Sequence, residues 1–244
     1  MRGTPQPAPS MPSPGFGEEQ LSEILHDAIF TTCVMCSVMV PVIALERARR
    51  VDKKAVSYAM AACCSFAMTV AGFWNTVPAL LDSGLDPRAL LRETRTDSFL
   101  CTFFGAYCVL DLAIGSVVYP QYVDLLTGWV HHIAYLGLMW YLHNHHVQGG
   151  FGIFLIEELP TFLLALGNVS KPWRTNVLFG GSFFVTRLCW HGYMLSQFWQ
   201  LRTLIAQPLY VPIGVTMLLH MHWFYGYARQ QLRRMNQARK KKVD

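Results

Sequence analysis

The stretch Leu125–His143, LLTGWVHHIAYLGLMWYLH, decides how the chain is read. It is almost wholly apolar and aromatic, and nineteen residues are about what a helix needs to cross a bilayer. Yet it carries two adjacent histidines, His131 and His132. Imidazoles at hydrocarbon depth cost free energy unless partners satisfy them. Neighbouring helical residues point about 100° apart, so one ring is expected to face a bundle interior and the other to lean on an adjacent helix. Hydrogen-bonding glue between helices is the plainest use of such a pair. Polar residues at matching depths in other segments favour a functional one.

Composition supports a membrane setting. The 244 residues are 52% hydrophobic and only 14% charged, against about 25% charged in an average soluble domain. Apolar runs at about 25–45, 55–81, 97–118, 125–143, 151–168, 177–200 and 207–228 predict an all-α membrane protein of about seven transmembrane helices. The Pro-, Gly- and Ser-rich residues 1–20 predict a disordered tail. Residues 21–54 hold the first crossing and a basic loop, 55–228 the main helical domain, and 229–244 a basic tail. All seven cysteines lie in apolar runs, where a thiol behaves as a small hydrophobe.

Fourteen of the twenty Lys and Arg residues fall on the side of the 47–54 loop and the tail, and five on the other; Arg187 lies within a crossing. Cytosolic segments carry the excess of basic residues, so the C-terminus is expected in the cytosol and the N-terminus in the lumen. The sequon Asn168-Val-Ser170 then lies on the cytosolic side and is expected to stay unmodified; glycosylation there would reverse the orientation. Lys241 and Lys242 have the dilysine form of an endoplasmic-reticulum retrieval signal. The charge is confined to loop and tail, so a nucleic-acid partner is not expected.

Depth ties the ionisable residues together. At about 1.5 Å per residue, Asp111, the pair His131 and His132, and the pair His220 and His222 all fall about 9–12 Å from the cytosolic ends of their helices. Glu158 and Arg187 fall about 15 Å in. Glu157 and His191 accompany them in sequence. Buried charges scattered singly are too costly, so these groups are expected to share a cavity. A carboxylate beside an imidazole fixes its tautomer and raises its basicity, which casts Asp111, His131 and His132 as catalytic. Glu157, Glu158, Arg187, His191, His220 and His222 are then the substrate-binding set. No metal site is expected. His143, His145 and His146 lie about 17–21 Å along the helix from His131 and His132, too far to converge on one ion.

The order of Gly105-Ala-Tyr-Cys-Val-Leu-Asp111, His131-His132 after Gly128, Glu158-Leu-Pro-Thr161, Phe179-Gly-Gly-Ser-Phe-Phe184 with Arg187, and His220-x-His222-Trp223-Phe224 resembles the TLC-domain family, which includes the ceramide synthases. The resemblance covers about 55–228. It implies a helical bundle around a lipid-accessible tunnel in the endoplasmic reticulum, with the histidine pair at an acyl-transfer site. Ceramide synthases continue with an H-D-x-S-D type signature where this chain has Glu157-Glu158-Leu-Pro-Thr161. It therefore looks more like the smaller TLC-domain proteins linked to membrane-lipid composition.

The resulting expectation is acyl transfer in ceramide or phospholipid metabolism in the endoplasmic-reticulum membrane. The partner is a lipid or fatty-acyl substrate, acyl-CoA is a co-substrate, there is no bound cofactor, and a homodimer is compatible with this reading. The alternative is a non-catalytic lipid-binding or lipid-sensing protein that uses the same cavity.

Overall fold

A computed structural model of the chain describes residues 17–91 and 93–240, with side chains placed to residue 237. The Pro-rich tail through residue 16, Lys241 and Lys242 lie outside the described residues. Within them the protein is helical, with no strand.

The rods are α1 (Glu18–Arg47), α2 (Lys53–Asp82), α3 (Arg95–Val118), α4 (125–144), α5 (Glu158–Val169), α6 (176–200) and α7 (Tyr210–Lys240). Among the described residues α1, α2 and α3 are each long and apolar enough to cross a membrane. Of the later rods, α5 has only 12 residues, α4 and α6 contain wider turns, and α7 runs unbroken for 31; α4, α6 and α7 carry His131, His132, His143, His191, His220 and His222. Large apolar side chains on the outside, such as Trp74, Val117 and Val177, are more than four-fifths exposed. Such a belt has no place on a soluble monomer.

Local sequence sets the helix starts. The Asp52 side chain accepts from the Ala55 amide at the start of α2, and Thr94 caps α3 by accepting from the Asp97 amide. Asp124 accepts from the Thr127 amide and so starts the histidine rod α4. Residues 18–20, expected in the disordered tail, are instead the start of α1, continuous with the first crossing. Asp27 on α1 is buried and receives both terminal nitrogens of Arg95 at 2.6 Å, which ties α1 to α3.

The expected crossing at 151–168 is not one straight helix. A short turn, Gly149–Gly152, and a 3₁₀ turn, Leu155–Glu157, precede α5, whose 12 residues span only about 18 Å. Irregular backbone at membrane depth survives only where protein covers it, and residues 149–157 are buried except for the half-buried Phe154. Close packing by α2 covers the break: a Cβ added at Gly72 would lie 2.9 Å from both the Ile156 amide nitrogen and its Cγ2. Gly72→Ala is therefore expected to cost about 1–3 kcal/mol, read as a lower thermal midpoint in detergent. An unchanged midpoint would mean that the 149–157 segment is not held there.

Among the described residues, three π turns lie inside the rods, at Gly72–Thr76, Leu125–Val130 and Phe184–Trp190. The first precedes Pro78, whose ring cannot join an ordinary helical ladder. The second ends directly at His131, and the third contains Arg187. π turns are often found at functional sites.

Candidate functional site

The broken segment before α5 builds the inner part of the site. Backbone carbonyls that a regular helix would have used need other donors. Arg187 Nε donates to the Glu157 carbonyl at 2.8 Å, and Trp190 Nε1 donates to that of Ile153 at 3.1 Å. Both donors come from the π turn of α6. The turn also leaves the Arg187 carbonyl to accept from His220 Nδ1 on α7 at 3.1 Å.

The two neighbouring glutamates part company. Glu158 meets Arg187, with Nη2 to Oε1 at 3.4 Å, and the same Nη2 donates to Thr161 Oγ1 at 2.7 Å. Glu157 is more deeply buried and turns the other way. Its Oε1 shares a proton with His191 Nδ1 at 2.8 Å, and its Oε2 lies 3.9 Å from His220 Nε2. Nε2 of His191 donates to the Ile213 carbonyl at 2.8 Å. Glu157, His191 and His220 offer ligand atoms all within 4.8 Å of one another, and among the described residues they are the group able to hold a metal ion.

The histidine pair forms the outer part. His132 is buried, and its Nε2 lies 3.8 Å from Asp111 Oδ2 on α3. Asp111 is itself held by Tyr119, whose hydroxyl donates to Oδ1 at 2.9 Å. Nδ1 of His132 is buried and has no hydrogen-bond partner among the described residues. His131 is half-buried between Tyr135 and Trp223, with ring centroids 4.7 and 5.8 Å away.

Cavities link these groups. One of about 290 Å³ is lined by His131, His132, Thr161, Glu158, Arg187 and Trp223. A second, deeper one shares Glu158 and Arg187 and reaches Glu157, His191 and His220. A third, an apolar groove of about 280 Å³, shares His131 and Trp223 with the first and runs between α4 and α7. Its lining residues Leu126, Val130, Val211 and Val215 are exposed on the outer face of the protein.

Asp111 contacts His132 but does not itself line the first cavity. His222 sits apart. Two residues from His220, it is turned about 200° around the helix and is exposed, so depth alone placed it with groups it does not meet. Sequence reasoning missed Tyr135 and Tyr119. Tyr135 is four residues after His131 on the same helical face, a spacing that would have found it. Tyr119 lies beyond the end of α3 and gives no such signal. His143, His145 and His146 belong to a separate network. His143 meets Thr102 and Gln148, His146 meets Glu93 at 2.6 Å, and the His145 ring packs on Tyr141.

A family profile described as the TLC domain matches residues 50–229. The chain belongs to the TLC-domain family. It is a membrane protein of that family, and the family points to lipids as what it meets in the bilayer. No curated protein and no solved structure matches the chain. The matched span holds every cavity-lining residue named above.

Proposed function

We propose that the protein is an acyltransferase of ceramide or phospholipid metabolism in the endoplasmic-reticulum membrane, crossing it about seven times with the C-terminus in the cytosol. The observation that carries this reading is the junction at His131 and Trp223, where a cavity holding the side chains of His132, Glu158, Thr161 and Arg187 meets an apolar groove on the outer face of the protein. A lipid divides in the same way, with a polar reacting group and an acyl chain. The groove suits the chain, and the cavity with His132, Thr161 and Arg187 suits the polar end.

In this reading His132 is the general base. With Nε2–H turned to Asp111, the lone pair on Nδ1 is left to take a proton from the acceptor amine or hydroxyl. The 3.8 Å to Asp111 is too long for a hydrogen bond, and such contacts tighten when substrate is bound. Tyr119 fixes the carboxylate from its other side. His131, packed on Tyr135 and Trp223, positions the acyl group at the junction. Arg187 is engaged through Nε and Nη2, so its first role is to hold the cavity wall, and its charge faces the polar end of the ligand.

Lipid profiles of cells lacking the protein, rescued with the wild type or with His131→Ala/His132→Ala, test this. The double variant is expected to reach the membrane at normal levels and leave the lipid profile uncorrected. Full correction would overturn catalysis and leave a lipid-binding protein that needs only the groove.

A further inference from the structure

The innermost cluster contains more than an ion pair. A backbone carbonyl can only accept, so His191 Nε2 and His220 Nδ1 must both carry protons for the Ile213 and Arg187 carbonyls. This fixes both ring orientations, so that His220 Nε2 offers a lone pair, and His191 Nδ1 offers one once the proton it shares with Glu157 has left. Both point at Glu157, whose two oxygens lie 2.8 and 3.9 Å from them. Three ligand atoms thus converge from three elements: the broken segment before α5, α6 and α7. All three residues are buried. Metal-bound histidines nearly always donate their other ring N–H to a carbonyl or carboxylate, and both of these do.

We infer that Glu157, His191 and His220 form a divalent metal site, of the His₂Glu type that suits Zn²⁺. Ligand atoms around tetrahedral zinc lie about 3.3 Å apart, given bonds of about 2.0–2.1 Å. Taken with one ligand atom per residue, the three lie within 4.8 Å of one another, so side-chain shifts on the order of an ångström close the site. Without a cation the short Glu157–His191 contact needs a proton between its atoms, and Zn²⁺ takes the place of that proton. Charge favours this choice of ligand. Glu158 is occupied by Arg187, so Glu157 is the carboxylate left to neutralise the cation. Three protein ligands leave a fourth position open, and the deeper cavity adjoins it, lined also by Tyr135, Phe154 and Thr216. A lipid carbonyl or phosphate oxygen, or water, is the donor that fits there.

Expectations from the sequence were against a metal because His143, His145 and His146 cannot reach His131 and His132. That reasoning did not bear on His191 and His220, which only the folding of α6 against α7 brings to Glu157.

The test uses tag-free, full-length protein purified in detergent without chelator, with metal content measured by mass spectrometry. Chelator-treated protein is then titrated with Zn²⁺, and with Co²⁺ as a spectroscopic probe. The expected results are close to one zinc per chain and intense tetrahedral cobalt bands in the visible. His220→Gln and Glu157→Gln are each expected to weaken Zn²⁺ binding by about 100-fold or more, since loss of a mere supporting partner already costs 10–100-fold. His222→Ala and His145→Ala, on residues outside the cluster, are expected to change nothing. Should a ligand variant misfold, the wild-type titration still decides. No bound metal together with Zn²⁺ binding no tighter than that of His220→Gln, or wild-type binding abolished by His222→Ala, would overturn the site. Because the readout is metal content, its failure leaves the acyl-transfer reading at His132 untouched.

Discussion

Arg187→Ala is expected to produce the largest loss of stability of any single change in the bundle. The guanidinium of Arg187 supplies the Glu157 carbonyl, the Glu158 carboxylate and the Thr161 hydroxyl at once. Its removal leaves a buried carbonyl and a largely buried carboxylate without their donor, and breaking one side of such a pair costs about 3–5 kcal/mol. The 149–157 break depends on the same donor, so its packing against α2 should loosen as well. Arg187→Lys is expected to recover little. One ammonium cannot present the fork that reaches a carbonyl through Nε while bridging a carboxylate and a hydroxyl through Nη2. Thermal unfolding followed by size-exclusion in detergent reads this directly. A midpoint within a degree or two of the wild type for Arg187→Ala would show that the contacts seen here carry no weight.

How far the sequence shows all this depends on the kind of feature. Apolar runs and the rarity of charge inside them are visible residue by residue, so helicity could be read directly. Azimuth is harder. Glu157 and Glu158 differ by about 100° around a helix axis, and the sequence does not say which meets Arg187. The structure uses both, one toward Arg187 and Thr161 and the other toward His191 and His220. His220 and His222 share a depth but not a face, and grouping by depth alone joined them. The break at 149–157 was hidden for a different reason. A buried irregular segment is as apolar as a helix, and only the glycines at 149, 150 and 152 hint at it. Its carbonyls, left over from the broken ladder, are what draw Arg187 and Trp190 inward. The part of the site least visible in sequence therefore follows from a local failure of helix.

Asp111→Asn is expected to abolish most activity while leaving the protein folded. Asparagine matches aspartate in shape, and its carbonyl still accepts from the Tyr119 hydroxyl, now the 2.9 Å bond to Oδ1. What changes is the group turned toward His132. A carboxylate accepts from Nε2–H and leaves the Nδ1 lone pair for the substrate. A carboxamide presents N–H to Nε2 instead, which favours the tautomer with the proton on Nδ1. The ring then has no lone pair on the side that must take a proton. The same swap behind a catalytic histidine in a serine protease lowers turnover about 10⁴-fold without altering geometry. The contact here is longer, 3.8 Å, so a loss of about 10²- to 10⁴-fold is the expected range. Membranes carrying wild-type or variant protein, supplied with acyl-CoA and candidate acceptor lipids, provide the rate, and a thermal midpoint provides the control. If His132 is only glue between α3 and α4, the outcome reverses: the midpoint drops by the equivalent of about 1 kcal/mol, and the rate per folded molecule stays the same. A rate that survives Asp111→Asn would remove the proton-transfer role from His132 and leave the groove as the functional feature.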